Sequence, residues 1–378
     1  MAFNKNVQIL DKRIYHLTDY GNHRICGKKF LAEYYSYPEK IFGVTKSHLY
    51  SSLQFASFSR FDHKGFESHR YFSLFTSIFK LDAYINRVQE VLVSDIQKSV
   101  LKLGKKIDLD QYQVDDIFEF IGESILAGTE RRIFKNYTSA IIQEHKTRSV
   151  KFSVKVSKFI LDNQDIFDPE NLDQISLGLI NTIIIALSTL NSKIYDTLFY
   201  LFSSPNLIKY LYDEQTSLIA SYGPQINYTV LSKMNLLDKA IKDAVRLSHN
   251  ILFAKRYLNE TVTFSNGVTV PKGSFISLNG TSIHRVTNIR GDNTISYDCK
   301  NSYSRDETFN NVSLDNLSWS VGSRMCLAKE FASNFMKEYF AILIREFYFE
   351  PLYTNHKTRK IDIEGLNCPK SGAIFIKR

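Results

Sequence analysis

A helix that starts at Asp168-Pro169-Glu170 and runs to Ser203 constrains this chain more than any other feature. Asp168 is a natural N-cap, Pro169 is preset for a first helical turn, and Glu170 complements the helix dipole. Ser204-Pro205 stops it. About 35 residues, each rising about 1.5 Å, make a rod of roughly 50 Å. From Leu177 to Leu190 (LGLINTIIIALSTL) it is apolar nearly all round, so the pattern predicts that it runs through the interior.

Most of the first 260 residues read as helices that can surround such a rod. FESHRYFSLFTSIF, LDAYINRVQEVLVSDIQKSV and VDDIFEFIGESILAG all carry apolar residues at three-and-four spacing, and NLIKYLYDEQTSL and LLDKAIKDAVRLSHN follow the rod. From Glu260 the pattern alternates. TVTFSNGVTVPKGSFISL predicts a hairpin at Asn266-Gly267 and a second turn at Pro271-Lys272-Gly273. A polar, irregular stretch over 286–318 leads to a last helix from Leu327 to Arg345, expected to bury Phe331, Phe335, Tyr339 and Ile342. Short strands follow at FYFEP and AIFIKR. The fold class read from this is mainly α with a small β region. No linker or repeat divides residues 1–378, which are expected to form a single domain.

No run reaches the roughly 18 to 20 apolar residues of a membrane-spanning helix. The start, MAFNKNVQILDKR, lacks the apolar core of a signal peptide, so the expectation is a cytoplasmic protein with no membrane anchor. The four cysteines (Cys26, Cys299, Cys326 and Cys368) are far apart and form no CxxC pair, which argues against a disulfide framework or a zinc knuckle. The net charge of +9 comes from Lys and Arg spread along the chain rather than packed into a run. That distribution argues against nucleic acid as a partner and suits an acidic protein at least as well.

WSVGSRMCLAKEFA, residues 319–332, sets a cysteine in a glycine-containing turn, two residues after an arginine and just before an apolar helix. The plain reading is a buried structural cysteine. The other is a thiolate presented to a metal, and here the stretch resembles the haem-binding loop of the cytochrome P450 superfamily. The resemblance assigns Cys326 as the metal ligand and Gly322 as the tight turn beside a porphyrin. Arg324 becomes a partner for a haem propionate, and Trp319 packs beside the sulfur. Ala328 keeps the next helix close to the ring, and the backbone N–H groups of that helix support the thiolate charge.

Other stretches resemble the same family in the same order. KDAVRLSHN is similar to its Glu-x-x-Arg helix, with Asp243 in place of Glu and Arg246 retained. FAKRYLNETVTFSNGVTVPKGSFISLNGTSIHR is similar to the segment that follows, which makes Arg256 a propionate contact, and Arg305 is a candidate third member of the locking pair. FESHRYF is similar to a helix that supplies another propionate donor, Arg70 or its neighbour His69. IALSTL stands where the family has an acid–threonine pair, which assigns catalytic roles to Thr189 and to Ser188 in the acid's place.

The resemblance implies a cytochrome P450-like fold with the long helix over the haem, an abbreviated N-terminus and a shortened roof above the substrate. The cofactor it implies is haem b. The reaction is a monooxygenation with dioxygen, fed by a ferredoxin or flavodoxin, on a small-molecule or peptide substrate of the kind found in secondary metabolism. The missing acid keeps two alternatives open: a peroxide-using or isomerase-type haem-thiolate enzyme, and a haem-binding protein without catalysis.

Overall fold

The computed structural model describes residues 14–17, 22–25, 30–38, 40–43, 82–129, 189–248, 253–284, 297, 299, 307–314, 316–322, 325–326, 328–352 and 372–378. The chain begins with β1 (Ile14–Leu17), β2 (Asn22–Ile25), α1 (Leu31–Ser36) and β3 (Phe42–Gly43). Then come α2 (Asp82–Leu103), β4 (Lys105–Asp108), β5 (Gln111–Val114) and α3 (Ile117–Thr129). The helix over 189–202, α4, precedes α5 (Pro205–Tyr222), α6 (Tyr228–Lys233) and α7 (Asn235–Leu247). Four strands follow: β6 (Phe253–Leu258), β7 (Val262–Thr263), β8 (Thr269–Val270) and β9 (Phe275–Leu278). α8 (Gly280–Ile283), α9 (Lys329–Glu346), β10 (Phe347–Pro351) and β11 (Ala373–Lys377) complete the described elements. Helix predominates, with small sheets, as the sequence pattern predicts.

Two compact units divide these elements. The first takes residues 1–63, 242–326 and 360–367, and the second 64–241, 327–359 and 368–378.

The first unit is built on a five-stranded sheet in the order β1-β2-β9-β6-β3, in which β2 and β9 run parallel. Phe30, Leu31, Tyr34 and Phe42 pack against Leu258, Phe264, Ile276, Leu278, Ile283 and Leu317 in one apolar cluster. The hairpin at Asn266-Gly267 forms as the sequence predicts, joining β7 to β8 with Gly267 at φ 83°. The PKGS turn also forms, with Gly273 at φ 87°. Glu33 of α1 accepts hydrogen bonds from the Ser265 N–H (2.9 Å) and hydroxyl (2.8 Å), which ties α1 to the hairpin.

The second unit joins helices to an antiparallel sheet in the order β10-β11-β5-β4. α9 forms at Lys329, two residues later than the sequence pattern predicts, and its residues 333–344 are all buried. Phe335, Tyr339 and Ile342 are among them, whereas Phe331 is half-buried. α4 ends at residue 202, and Ser204 N–H donates to the Leu201 carbonyl before Pro205 opens α5. The start of the long helix at Asp168 lies outside the described residues, as does FESHRYFSLFTSIF. Among the elements with no forecast in the sequence pattern are the β4–β5 hairpin and the short helices α1, α6 and α8. No helix among the described residues is long and apolar enough to cross a membrane.

Candidate active site

The loop between Leu317 and Cys326 holds its shape through backbone bonds and two left-handed residues. Ser320 N–H donates to the Leu317 carbonyl (2.8 Å), and Cys326 N–H donates back across the loop to the Trp319 carbonyl (2.7 Å). That last bond closes the turn and fixes the backbone from which the cysteine side chain projects. Ser320 has φ 61° and Gly322 φ 75°. Glycine takes such an angle freely, whereas serine gives up about 1 kcal/mol or more. Among the described residues, the nearest atom to a Cβ placed on Gly322 would be Tyr35 Cδ1, at 4.0 Å. This face of the loop therefore leaves room for a flat group to approach the backbone.

Trp319 is buried at 9% exposure, its indole N–H donates to the Phe309 carbonyl (2.7 Å), and its ring lies 4.7 Å from that of Phe309. Phe309 thus anchors Trp319 through both its carbonyl and its ring. Cys326 is half-buried and in no disulfide, while Cys299 is fully buried. Of these two described cysteines, Cys326 is the more exposed.

Arg256 lies on β6, is buried at 9% exposure, and donates from Nη1 to the Lys255 carbonyl (3.0 Å). Its charge reaches Tyr34 and Tyr35. Burial raises the pKa of both phenols, and the guanidinium partly offsets that rise. The strand is bulged here: the β6–β9 register shifts between Phe253 and Arg256, and Ala254 has φ 49°. A bulge re-aims the side chains that follow it.

Asp243 and Arg246 are both buried, 2.8 Å apart, and Arg246 Nη1 donates to the His284 carbonyl (2.9 Å). The pair is therefore an internal tie rather than a solvated one, and it fixes α7 to the residue just past α8.

Among the described residues no group of three His, Cys, Asp or Glu could hold a metal ion. A cytochrome P450 family model matches residues 67–375, well over half of the chain. The chain belongs to the cytochrome P450 family.

A sterol 14-demethylase of Arabidopsis thaliana is 30% identical over 143 residues, 36% of this chain and 29% of that protein. A cytochrome P450 4B1 of Rattus norvegicus is 30% identical over 119 residues, 32% and 23% of the two chains. An ent-kaurene oxidase of Fusarium fujikuroi is 23% identical over 221 residues, 53% and 40%. The matched stretch spans less than half of each of these relatives.

Membership implies a haem cofactor, and the described residues of this P450 fit one. The half-buried thiol, the open face at Gly322 and the buried guanidinium of Arg256 all belong to the same compact unit. Thr189 and Ala328 belong to the other unit. Thr189 is exposed at the described start of α4, and Ala328 precedes α9 with φ −90° while accepting from Ala332 N–H (2.8 Å). Ser188, Arg70, His69, Arg324 and Arg305 lie outside the described residues.

Sequence reasoning missed Tyr34 and Tyr35. The Tyr34 hydroxyl donates to the Ala254 carbonyl, and the Tyr35 hydroxyl pairs with Ser320 Oγ at 3.1 Å. The signal available was the adjacent aromatic pair in LAEYYS, at a spacing no strand face or helix stripe requires.

Proposed function

We propose that this P450 is a haem-thiolate monooxygenase that binds haem b through Cys326. The observation that carries this is the closed Trp319–Cys326 loop with its left-handed Gly322, found in a chain that belongs to the family. When bound, a thiolate-ligated haem supplies reductive activation of dioxygen. In the net reaction one oxygen atom enters the substrate and the other leaves as water, with two electrons from a ferredoxin or flavodoxin and two protons.

The chain's own residues then take these roles. Cys326 would supply the thiolate that holds the haem, and the Trp319 carbonyl, accepting from the Cys326 N–H, holds its backbone in place. Arg256, with Arg324 and Arg70 or His69, binds the propionate carboxylates, which suits their fixed positive charge. The Asp243–Arg246 tie holds α7. The Thr189 hydroxyl, with Ser188 next to it in sequence, would pass protons to the reaction. With no carboxylate at position 188, proton delivery is slower than an acid would allow.

We read residues 1–378 as one domain, and the substrate as a bulky natural product or peptide, in keeping with secondary metabolism. The names of two relatives, sterol 14-demethylase and ent-kaurene oxidase, support the natural-product side of that reading.

The carbon monoxide difference spectrum of the reduced, haem-loaded protein tests the central step. The expected result is the red-shifted band of thiolate ligation, lost in Cys326→Ala. A parent spectrum without that shift, or a Cys326→Ala variant that keeps it, overturns the reading.

A further inference from the structure

We propose that Tyr34 and Tyr35 are positioning residues that act as a double clamp, one phenol holding the Arg256 strand and the other the Cys326 loop. The proposal rests on the reading of Cys326 as haem ligand. Among the described residues only two that are not glycine have positive φ: Ala254 (49°) and Ser320 (61°). They are 66 positions apart in sequence, yet consecutive residues of α1 hold them. The Tyr34 hydroxyl donates to the Ala254 carbonyl, and the Tyr35 hydroxyl shares a hydrogen bond with Ser320 Oγ (3.1 Å). A left-handed non-glycine residue persists only where its surroundings over-determine it, and such residues gather where geometry serves a ligand.

Each grip sits where it controls a ligand-facing side chain. Ala254 is inside the bulge that re-aims Arg256 two residues later. Ser320 is inside the turn closed by the bond from Cys326 N–H to the Trp319 carbonyl, and Tyr35 also flanks Gly322 in that turn. The helix itself is held on several sides. Leu31 and Tyr34 are buried in the apolar cluster, Glu33 is bonded to Ser265, and the two phenol rings meet edge to face at 5.2 Å. One short helix therefore couples the backbone under the propionate-binding arginine to the backbone under the thiolate.

Two substitutions of Ser320 separate a clamp from a general packing role. Ser320→Ala removes the hydroxyl and keeps a side chain that resists φ 61°. Ser320→Gly removes the same hydroxyl but tolerates the angle. In the reduced, carbon-monoxide-bound holoprotein, Ser320→Ala and Tyr35→Phe are expected to raise the rate of loss of the thiolate-ligated band roughly five- to tenfold. Ser320→Gly is expected to stay near the parent rate, and to restore it when added to Tyr35→Phe. Tyr34→Phe is expected to leave the band in place and speed haem transfer to apomyoglobin by a similar factor.

Equal rates in Ser320→Ala and Ser320→Gly overturn the clamp, as does a Tyr35→Phe variant that behaves like the parent. If Tyr35→Phe does not fold, the two Ser320 variants decide alone. If the parent shows no thiolate-ligated band, the haem reading fails by itself. The clamp is then tested in the haem-free protein by iodoacetamide alkylation of Cys326, read by peptide mass. The rate should rise in Ser320→Ala and not in Ser320→Gly, and equal rates reject the clamp.

Discussion

Asp243 in the first unit and Glu338 in the second are both carboxylic side chains taken out of water, at 0% and 2% exposure. Their surroundings are opposite. Asp243 meets Arg246 at 2.8 Å, and Arg246 goes on to the His284 carbonyl, so the charge ties a helix to the segment beyond α8. Glu338 sits in the fully buried stretch of α9, its Oε1 has no hydrogen-bond partner, and burial pushes its pKa up to about 8. Where a charge links backbone that packing alone does not specify, it is kept and paired. On α9 the paired charge is that of Lys337, 3.2 Å from Asp238, while Glu338 next to it is carried as a neutral group in the buried stretch. Three measurements can break or sharpen that contrast.

The largest effect is expected at the paired carboxylate. Asp243→Ala leaves Arg246 buried without its counter-charge, a change that typically costs roughly 3–5 kcal/mol. Urea unfolding of the variant against the parent reads this directly. Asp243→Glu retains the charge and should recover most of the loss. A loss below about 1 kcal/mol in Asp243→Ala would place the pair among weak surface contacts and remove one side of the contrast.

Glu338→Gln should move stability the other way. The native side chain holds its proton up to about 8, while the unfolded chain releases it near the ordinary value of 4.5. Between those values the native state binds more protons than the unfolded state, so parent stability falls as pH rises through this window and levels off above it. The neutral amide does not titrate. At pH 7 the variant is expected to be more stable than the parent by about 3 kcal/mol, and the two should converge near pH 4. Unfolding free energies at a series of pH values test this, and a difference that does not change with pH would mean that Glu338 is not the acid described.

The contrast also marks what the sequence made legible. Regular elements with local causes were readable. Asn266-Gly267 names its own turn, Ser204-Pro205 ends α4, and the three-and-four spacing of Phe335, Tyr339 and Ile342 gives the buried face of α9. The Cys326 turn was readable as a turn because Gly322 marks it, and that glycine sits at φ 75°. The clamp was not. Tyr34 and Tyr35 reach partners 220 and 285 positions away, and α1, at six residues, is too short to show a period. The β4–β5 hairpin escaped for a different reason: β4 is exposed throughout, so KKID carries no alternation to read. Burial was equally hidden, since nothing in KDAVR distinguishes a solvated Asp–Arg pair from an internal one.

The smallest effect compares two phenols held by serines. Tyr339 of α9 is fully buried and lies 2.8 Å from Ser124 Oγ, while Ser124 donates its one hydroxyl proton to the Ile121 carbonyl. Tyr339 is therefore the donor, and in Tyr339→Phe the serine keeps its own bond. The expected loss is about 1 kcal/mol of unfolding free energy, the net value of one hydrogen bond inside a well-packed helical core. Tyr35→Phe removes a hydrogen bond of the same kind from a turn that has no helix to restore it. The stability losses of the two variants should be similar, yet only Tyr35→Phe should destabilise the thiolate-ligated spectrum. If Tyr339→Phe disturbed the spectrum as much, the geometry of the Trp319–Cys326 loop would follow general stability, and the distinction between a loop held by polar ties and a helix held mainly by packing would be lost.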